Sequence, residues 1–204
     1  MRITAETPIV LGSASPRRRE LLGLARIPFV VCPANADESI RPGETPDRYL
    51  ERIAGAKLEA VRLALEGGLA LHADAILVAD TVVVGPDGRV LGKPRDDDDG
   101  RAMLEQLSGR THTVRTRFLL GEKAGPPVHG DTVVTEVTFR SLLAGEIARY
   151  VESQEGRDKA GGYAVQGGAA AFTARIHGSY TNVVGLPLCE VQTALRAIGW
   201  LELA

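Results

Sequence analysis

The first constraint on the fold is an apolar run followed by a turn of small residues and the start of a helix. Ile9 to Leu11 predicts a short buried strand, which the Gly-Ser-Ala-Ser segment after it brings to an end. Ser15 stands where a helix N-cap is expected, and Pro16 stands at the first helical position, where its missing N–H costs nothing. The helix that follows has an apolar face, formed by Leu21, Leu22 and Ala25. The stretch therefore predicts a strand–turn–helix unit.

Positive charge crowds the first turn of this helix. Arg17, Arg18 and Arg19 stand at the end that already carries the positive pole of the helix dipole, where each exposed like charge costs about 0.3–1 kcal/mol. A strand, a small-residue turn, the N–H groups of a helix start and several guanidinium groups are together typical of a phosphate-binding site. The alternative is a solvated basic helix start that follows a strand by coincidence.

Composition limits the class of protein. The 204 residues suffice for a substantial core, and we expect a single domain over 1–204. A formal net charge of -2 and an aromatic content of 4% argue against nucleic acid as a partner, since they supply neither a basic field nor stacking platforms. We recognise no signal-peptide core and no apolar stretch long enough to span a membrane. Because Cys32 and Cys189 form no Cys-x-x-Cys pair, we expect reduced thiols and a cytoplasmic protein.

The order of the apolar periodicities predicts an α/β fold with a mixed sheet flanked by helices. The most apolar run, 75–84, is the expected central strand. Polar and apolar residues alternate in 111–120 and in 132–139, which predicts an antiparallel pair of strands with one solvent-exposed face. Further strands are expected at 9–11, 28–32, 90–91 and 172–176, and further helices at 47–65, 97–107, 144–151 and 187–198.

Asp80 interrupts the most apolar strand at its centre. An ionised carboxylate there is costly unless it is paired or holds a cation, so Asp80 is a candidate functional group. The alternative is an aspartate that caps a bend at the strand end. Lys93 lies in Gly-Lys-Pro at the end of a tight return from the same strand, where it could approach Asp80 and contact a phosphate. A surface lysine in a turn is the alternative.

Two further charged residues are weaker candidates. Glu38, in the loop after the second strand, could join Asp80 in holding a hard divalent cation through oxygen ligands, although a loop glutamate more often faces solvent. Lys57 lies at the edge of the apolar face of its helix, where a lysine more often extends to the surface than reaches a ligand. The acidic run 96–99 stands at a helix start, and we expect it to cap that helix and face solvent.

Other chemistries find no support in the sequence. The four histidines show no spacing typical of a zinc site, and no serine stands in a nucleophile elbow. The glycine-rich segment 159–171 contains Gln166, whose amide has the donor and the acceptor needed to read a nucleobase edge. A surface loop is the alternative for this segment.

Seven segments together resemble the Maf family of nucleoside triphosphate pyrophosphatases, and the resemblance covers nearly the whole chain. They are Ser-Ala-Ser-Pro-Arg-Arg-Arg-Glu-Leu-Leu from Ser13, Lys57 in its helix, Ala-Asp-Thr from Ala79, Gly-Lys-Pro from Gly92, Ser-Gly-Arg-Thr-His from Ser108, Asp-Lys-Ala-Gly-Gly-Tyr from Asp158 with Gln166, and Gly-Ser-Tyr from Gly178 through Pro187.

The resemblance implies an elongated α/β fold like that of the inosine triphosphatases, with two lobes and a cleft. It implies hydrolysis of a nucleoside triphosphate to the monophosphate and pyrophosphate with a divalent cation, Mg²⁺ or Mn²⁺, and it suggests a homodimer. Asp80 matches the family's general base, and Glu38 matches an acidic position that is a candidate metal ligand with Asp80. The positions tied to substrate choice are Arg17, Thr81 and Gln166, and those tied to phosphate are Ser13, Arg18, Lys57 and Lys93.

The sequence around Gln166 resembles that of the family branch that acts on dTTP and UTP. Gly162 stands in place of the commoner alanine. Two alternatives stay open. One is the sister branch that acts on 7-methyl-GTP, and the other is a non-catalytic nucleotide-binding regulator of cell division. A regulator has no need of Asp80, Glu38 and Lys93 together, so their joint presence favours an enzyme.

Overall fold

The computed structural model describes residues 1–33, 35–67 and 73–202, a part of the chain in which seven strands and six α-helices are present. The strands are β1 (Ile9–Leu11), β2 (Phe29–Val31), β3 (Ile76–Val84), β4 (Val90–Leu91), β5 (Thr111–Gly121), β6 (His129–Phe139) and β7 (Thr173–His177). The helices are α1 (Pro16–Leu24), α2 (Pro46–Glu66), α3 (Asp97–Leu107), α4 (Ala144–Glu152), α5 (Tyr180–Val184) and α6 (Leu188–Ala197). Two 3-10 turns lie at Ala160–Gly162 and Gly168–Ala171.

The strands form one mixed sheet in the order β2-β1-β3-β5-β6-β7, with β4 paired to β3. β1 runs parallel to β2 and β3, whereas β4 and β7 run antiparallel to β3 and β6. The N–H of Val128 donates to the carbonyl of Leu120 at 2.8 Å, and the hydroxyls of Thr111 and Thr138 lie 2.8 Å apart. The end of β5 therefore faces the start of β6, so this pair is antiparallel, as predicted. The mixed α/β sheet is likewise confirmed.

Contacts along the chain divide it into two units. Unit 1 comprises 1–80, 116–133 and the chain from Gly185 onward, and unit 2 comprises 81–115 and 134–184. The division falls within β3, directly after Asp80.

The core of unit 1 is α2 packed on β1 and β3. The cluster includes Val10, Ile76 and Val78 from the strands and Ala54, Leu58, Val61 and Leu65 from the helix. The helical members recur at intervals of three and four, which places them on one face. Gly12 follows β1, and a Cβ there would lie 2.6 Å from methyl carbons of Val61 and Val78. The absence of that Cβ lets the turn before α1 lie directly against the core.

The core of unit 2 contains an aromatic cluster around His112. The Nε2 of His112 lies 2.8 Å from the hydroxyl of Tyr163, and Phe139 packs edge-on against both rings. Phe172 packs in turn against Phe139 and Tyr150. Burial lowers the pKa of His112 to about 4, so its imidazole is neutral near pH 7. Tyr163, from the glycine-rich segment, is therefore a core residue.

Most predicted elements are present with bounds close to those expected from the sequence. The turn α5 and the two 3-10 turns were not predicted, because a single turn has too few residues to show a periodicity. β2 is shorter than predicted and only half-buried. The sequence predicts that Gly67 and Gly68 close α2; Gly67 is its C-cap, whereas Gly68 and also His72 lie outside the described residues. Within the described residues, we find no helix that is both long and apolar enough to cross a membrane.

We expect Gly12→Ala to lower the free energy of unfolding by about 1–3 kcal/mol, because the new methyl group would overpack against α2 and β3. Urea denaturation measures this. Gly55→Ala is the matched control, since a Cβ at that position in α2 meets nothing within 4 Å. Alanine's helix propensity should raise stability there by about 0.5–1 kcal/mol. Equal effects of the two substitutions would contradict the close approach at Gly12.

We also expect His112 to make the fold sensitive to acid. Its pKa is about 4 in the folded protein and 6.5 as the reference value, so between these pH values only the unfolded chain binds the proton. The contribution of neutral His112 to the free energy of unfolding is fully present above pH 6.5 and is lost as the pH falls toward 4. At pH 4.5 the loss is about 2–3 kcal/mol.

The measurement is the difference in the free energy of unfolding between pH 7 and pH 4.5. His112→Gln, which keeps a polar partner for Tyr163, should show a smaller loss than the wild type. The control is His177→Gln, because the His177 side chain is 83% exposed. An unchanged pH dependence in His112→Gln would refute this assignment.

Candidate active site

Asp80 and Lys57 form a buried ion pair in unit 1. β3 places Asp80 in its interior and α2 presents Lys57 toward it, so that the lysine Nζ lies 2.6 Å from Asp80 Oδ1. The same Nζ lies 2.7 Å from Oε1 of Glu38, whose side chain is 42% exposed. Both Lys57 and Asp80 are less than a tenth exposed. Two carboxylates therefore converge on one ammonium group, whose single positive charge balances only one of them.

This pair excludes one of the alternatives weighed for each of its residues. Lys57 does not extend to the surface, because the carboxylate of Asp80 holds its ammonium inside unit 1. Asp80 does not cap a bend at a strand end, because it lies inside β3 and pairs with Lys57. The buried carboxylate of Asp80 is paired with a cation that a side chain of this chain provides, and its catalytic and metal-binding parts stay predictions.

Arg18 lies beside this pair and is bound by the protein on several sides. Its Nε donates to the carbonyl of Gly185 at 2.8 Å, and its Nη1 donates to the carbonyl of Ala79 at 2.7 Å and to Oγ of Ser13 at 3.1 Å. Burial lowers the pKa of Arg18, and the negative charge of Asp80 opposes this effect. Arg18 therefore ties the turn before α1 to the residue that precedes Asp80, and it brings a second positive charge to the site.

The start of α1 is as expected in position and different in detail. Ser15 is the N-cap and Pro16 begins the helix, but the Ser15 side chain makes no capping bond. Instead the hydroxyl of Ser13 accepts the N–H of Ser15 at 3.2 Å. Arg17 is half-buried and contributes to the positive charge around Arg18. The part of Ser13 in phosphate binding and that of Arg17 in substrate choice stay predictions.

Two residues of α2 that the sequence did not single out hold the loop of Glu38. The hydroxyl of Tyr49 donates to the carbonyl of Glu38 at 3.1 Å, and Nη2 of Arg52 donates to the carbonyl of Ser39 at 2.9 Å. The charges of Asp80 and Glu38 add to the burial that raises the pKa of Tyr49. Tyr49, Arg52 and Lys57 all lie in α2. Their position on one predicted helix is the sequence signal that could have indicated a shared role.

Thr81, Lys93 and Gln166 belong to unit 2. Thr81 is half-buried in β3, Lys93 is exposed between β4 and α3, and Gln166 is exposed between the two 3-10 turns. The carbonyl of Gly92 accepts the N–H of Gly161 at 2.9 Å, so the loop of Lys93 is tied to the glycine-rich segment. The approach of Lys93 to Asp80 stays a prediction.

The loop of Gln166 is fixed from inside unit 2. The hydroxyl of Tyr150 accepts the N–H of Ala164 at 2.9 Å, and Glu155 accepts the N–H of Gly168 at 2.8 Å. A Cβ at Gly167 would overlap the carboxylate of Glu155 in its present position, so any larger residue there would displace that carboxylate. Gln166 is thus an exposed amide on a firmly anchored loop, rather than part of an unattached surface segment.

The acidic start of α3 has the capping role predicted for it. Oδ1 of Asp96 accepts the N–H of Asp99 at 2.8 Å, Asp97 pairs with Arg157 at 3.0 Å, and Asp99 pairs with Arg95 at 3.2 Å. These carboxylates complement the helix dipole and face solvent for the most part.

Glu38 and Asp80 have the donor chemistry for a hard divalent cation. Among the described residues, no group of three or more His, Cys, Asp or Glu is arranged to hold a metal ion. Mg²⁺ and Mn²⁺, however, are commonly held by one or two carboxylates together with substrate phosphates and water. The two carboxylates already converge on one cationic atom, the Nζ of Lys57, so the residues present fit such an ion.

This arrangement can stabilise a multiply charged phosphate by the fixed positive charge of Lys57 and Arg18, and its buried carboxylate can accept a proton from water. Comparison with known proteins agrees with such chemistry. The family model of the Maf-like proteins matches residues 8–198.

Two relatives match almost end to end. The dTTP/UTP pyrophosphatase of Geotalea uraniireducens (strain Rf4) is 45% identical over 198 residues, which are 97% of this chain and 98% of that protein. The dTTP/UTP pyrophosphatase of Geobacter sp. (strain M21) is 47% identical over 193 residues, 95% of this chain and 96% of that protein. This chain therefore belongs to the Maf family.

Solved structures show a weaker similarity. The dITP/XTP pyrophosphatase from Mycobacterium abscessus has a TM-score of 0.39 at 15% identity, covering 67% of this chain and 76% of that one. The Ham1 protein of Staphylococcus aureus has a TM-score of 0.39 at 16% identity, covering 65% of this chain and 71% of that one.

We expect Lys57→Met to destabilise the protein, because it leaves the Asp80 carboxylate buried without its nearest cation. The loss should lie near the lower end of about 3–5 kcal/mol, since the positive charge of Arg18 also acts on Asp80. The double variant Lys57→Met/Asp80→Asn should recover most of that loss, as urea denaturation can measure.

The control is Lys123→Met, which removes a lysine paired with exposed Asp74 and should cost at most about 1 kcal/mol. Purely additive losses at Lys57 and Asp80 would mean that the two charges are not coupled.

Proposed function

We propose that this chain hydrolyses dTTP and UTP to the nucleoside monophosphate and pyrophosphate. The observation that carries the proposal is the buried Asp80, held with Lys57 and Glu38 in a chain that matches relatives named dTTP/UTP pyrophosphatase over nearly its full length. A buried carboxylate with clustered cations suits attack by water on a phosphoric anhydride.

In the proposed reaction, the oxygen of water attacks the α-phosphorus and the bond from that phosphorus to the bridging oxygen of the β-phosphate breaks. Asp80 orients the water and accepts its proton, and the electron pair of the broken bond leaves with pyrophosphate. Lys57 supplies positive charge next to Asp80, and Arg18 supplies a second positive charge from inside unit 1. Because Lys57 already touches Asp80, it also fixes the position of the carboxylate before substrate binds.

A divalent cation, Mg²⁺ or Mn²⁺, completes the proposal. Glu38 and Asp80 would hold it together with phosphate oxygens of the substrate. When bound, such an ion neutralises charge on the phosphates and lowers the pKa of a water molecule. The ammonium of Lys57 would then turn from the two carboxylates toward phosphate, since its flexible chain allows it to change partner.

Substrate choice is assigned to residues that the family resemblance singles out. Gln166 would read the base through its amide, which offers one donor pair and one acceptor on an anchored loop. Arg17 and Thr81 would also take part in substrate choice, and Ser13 and Lys93 in phosphate binding. These assignments are supported by the matching motifs and by the family membership.

The proposal also includes the state of the molecule in the cell. We expect a single domain of two lobes over 1–204, a homodimer and a cytoplasmic location. Two free thiols, Cys32 and Cys189, fit a reducing compartment. Light scattering after size-exclusion chromatography tests the dimer, and a monomer across the working concentration range would refute it.

The deciding experiment is a turnover assay with dTTP, UTP, CTP, GTP, ATP and 7-methyl-GTP in the presence of Mg²⁺ or Mn²⁺. We expect monophosphate and pyrophosphate as products, with dTTP and UTP preferred. Preference for 7-methyl-GTP would overturn the assignment of the branch and the part given to Gln166. Nucleotide binding without turnover would instead favour a regulator.

We expect Asp80→Asn to lower kcat for dTTP by about 10²–10⁴-fold, because an amide cannot accept the proton of the attacking water. Asp98→Asn is the matched control, since Asp98 is an exposed carboxylate in the first turn of α3. Circular dichroism and thermal unfolding establish that both variants fold. Near-normal turnover by folded Asp80→Asn would remove the centre of the proposal.

A further inference from the structure

We infer that Tyr49 and Arg52 are positioning residues that fix the carboxylate of Glu38 at the ammonium of Lys57, and that Glu44 holds Arg52 in the orientation this requires. The inference rests on the proposed function, because it takes Glu38 as a ligand of the divalent cation. It assigns a role to three residues that lie outside the reacting groups.

The first observation is that three consecutive carbonyls of the Glu38 loop are bound by α2. Tyr49 donates its hydroxyl to the carbonyl of Glu38 at 3.1 Å. Arg52 donates from Nη1 to the carbonyl of Asp37 at 3.4 Å and from Nη2 to that of Ser39 at 2.9 Å. Both donors stand one helical turn apart on the same face, so the loop backbone is fixed on both sides of Glu38.

The second observation is that Arg52 itself has little freedom. Its Nε lies 2.7 Å from Oε1 of Glu44 and its Nη2 lies 2.6 Å from Oε2, which is a two-point pairing of guanidinium with carboxylate. Hydrogen bonding from Arg52 lowers the pKa of Glu44 to about 2, so the pair stays charged through the neutral range. The guanidinium also lies over the ring of Tyr49, 5.4 Å from its centroid.

The third observation is that Glu38 needs such support. Residues 37–41 are exposed and belong to no strand or helix, and fixing a loop residue in one conformation costs backbone entropy. Glu38 nevertheless meets Nζ of Lys57 at 2.7 Å. Because α2 carries Tyr49, Arg52 and Lys57, one rigid helix fixes both the loop backbone and the ammonium that the carboxylate reaches.

The fourth observation concerns the choice of arginine. A guanidinium can bond two carbonyls and a carboxylate at once because its donors diverge in one plane, whereas an ammonium is a single point of charge. Arg52 uses Nε, Nη1 and Nη2 in this way. Lysine at this position would keep the charge and could not reproduce all three contacts.

The test uses the full chain and three variants, Arg52→Met, Arg52→Lys and Tyr49→Phe. The control is Arg48→Met, which removes an exposed arginine from the same end of α2. Amide hydrogen exchange of the metal-free protein reports the order of residues 37–39. The dissociation constant of Mn²⁺ without nucleotide reports whether the carboxylate of Glu38 is positioned to bind the ion. It is obtained from the signal of free Mn²⁺ in electron paramagnetic resonance.

We expect faster exchange at 37–39 in Arg52→Met, together with about a tenfold weaker Mn²⁺ affinity and about a tenfold lower kcat/KM for dTTP. Arg52→Lys and Tyr49→Phe should show smaller losses in the same direction. The control should match the wild type in all three readings. Unchanged exchange and Mn²⁺ affinity in folded Arg52→Met would overturn the inference.

A double-mutant cycle separates positioning from a general effect on the fold. In the Glu38→Gln background, Arg52→Met should weaken Mn²⁺ binding less than twofold further, because the group it positions is already absent. A full tenfold loss in both backgrounds would mean that Arg52 stabilises the protein without acting through Glu38.

The outcomes also distinguish this inference from the proposed function. Failure of the wild type to hydrolyse any nucleotide would overturn the function, whereas the exchange and Mn²⁺ readings would still decide the role of Arg52. If Glu38→Gln binds Mn²⁺ and hydrolyses nucleotide as well as the wild type does, Glu38 is not a metal ligand, and this inference is overturned with that assignment.

Discussion

Lys57 and Asp80 are both buried in unit 1, and neither charge could remain there at low cost without the other. Moving an ion out of water costs several kcal/mol, and a partner at hydrogen-bond distance offsets that cost only when the remaining polar atoms also find partners. Glu38 gives the ammonium a second carboxylate, and Arg18 adds a positive charge that acts on Asp80. The chemistry proposed for the site therefore depends on a pair that must first be stable.

The helix α2 is the scaffold on which this pair is built. Its apolar face packs on β1 and β3 and thereby fixes the distance between Lys57 and Asp80. The neighbouring face holds the Glu38 loop through Tyr49 and Arg52. One helix thus joins the core of unit 1 to its charged site, so that packing energy and electrostatic order come from the same element.

Residues that resembled ligand-binding groups divide into two kinds once their contacts are known. Arg18 is bound by two backbone carbonyls and a hydroxyl, so it supports the framework as well as adding positive charge to the site. Tyr163, from the same motif segment as Gln166, is a core residue that packs with His112 and Phe139. Gln166 and Lys93 are exposed on anchored loops, where they can meet a substrate. A motif therefore marks the neighbourhood of a site, and burial and contacts show which of its residues also hold the framework together.

The chain order of the longer strands and helices, the anomaly of Asp80 and the resemblance to the Maf family all follow from the sequence, because periodicity, capping and motif spacing are local properties. Three features became evident only from contacts between distant parts of the chain: Lys57 turns inward, Arg18 reaches Gly185 across 167 positions, and Arg52 holds the Glu38 loop. Lys57 and Asp80 are 23 positions apart, and no local pattern tells a lysine that will face solvent from one that will meet a buried carboxylate. That choice depends on which surfaces the packing of α2 on the sheet brings together.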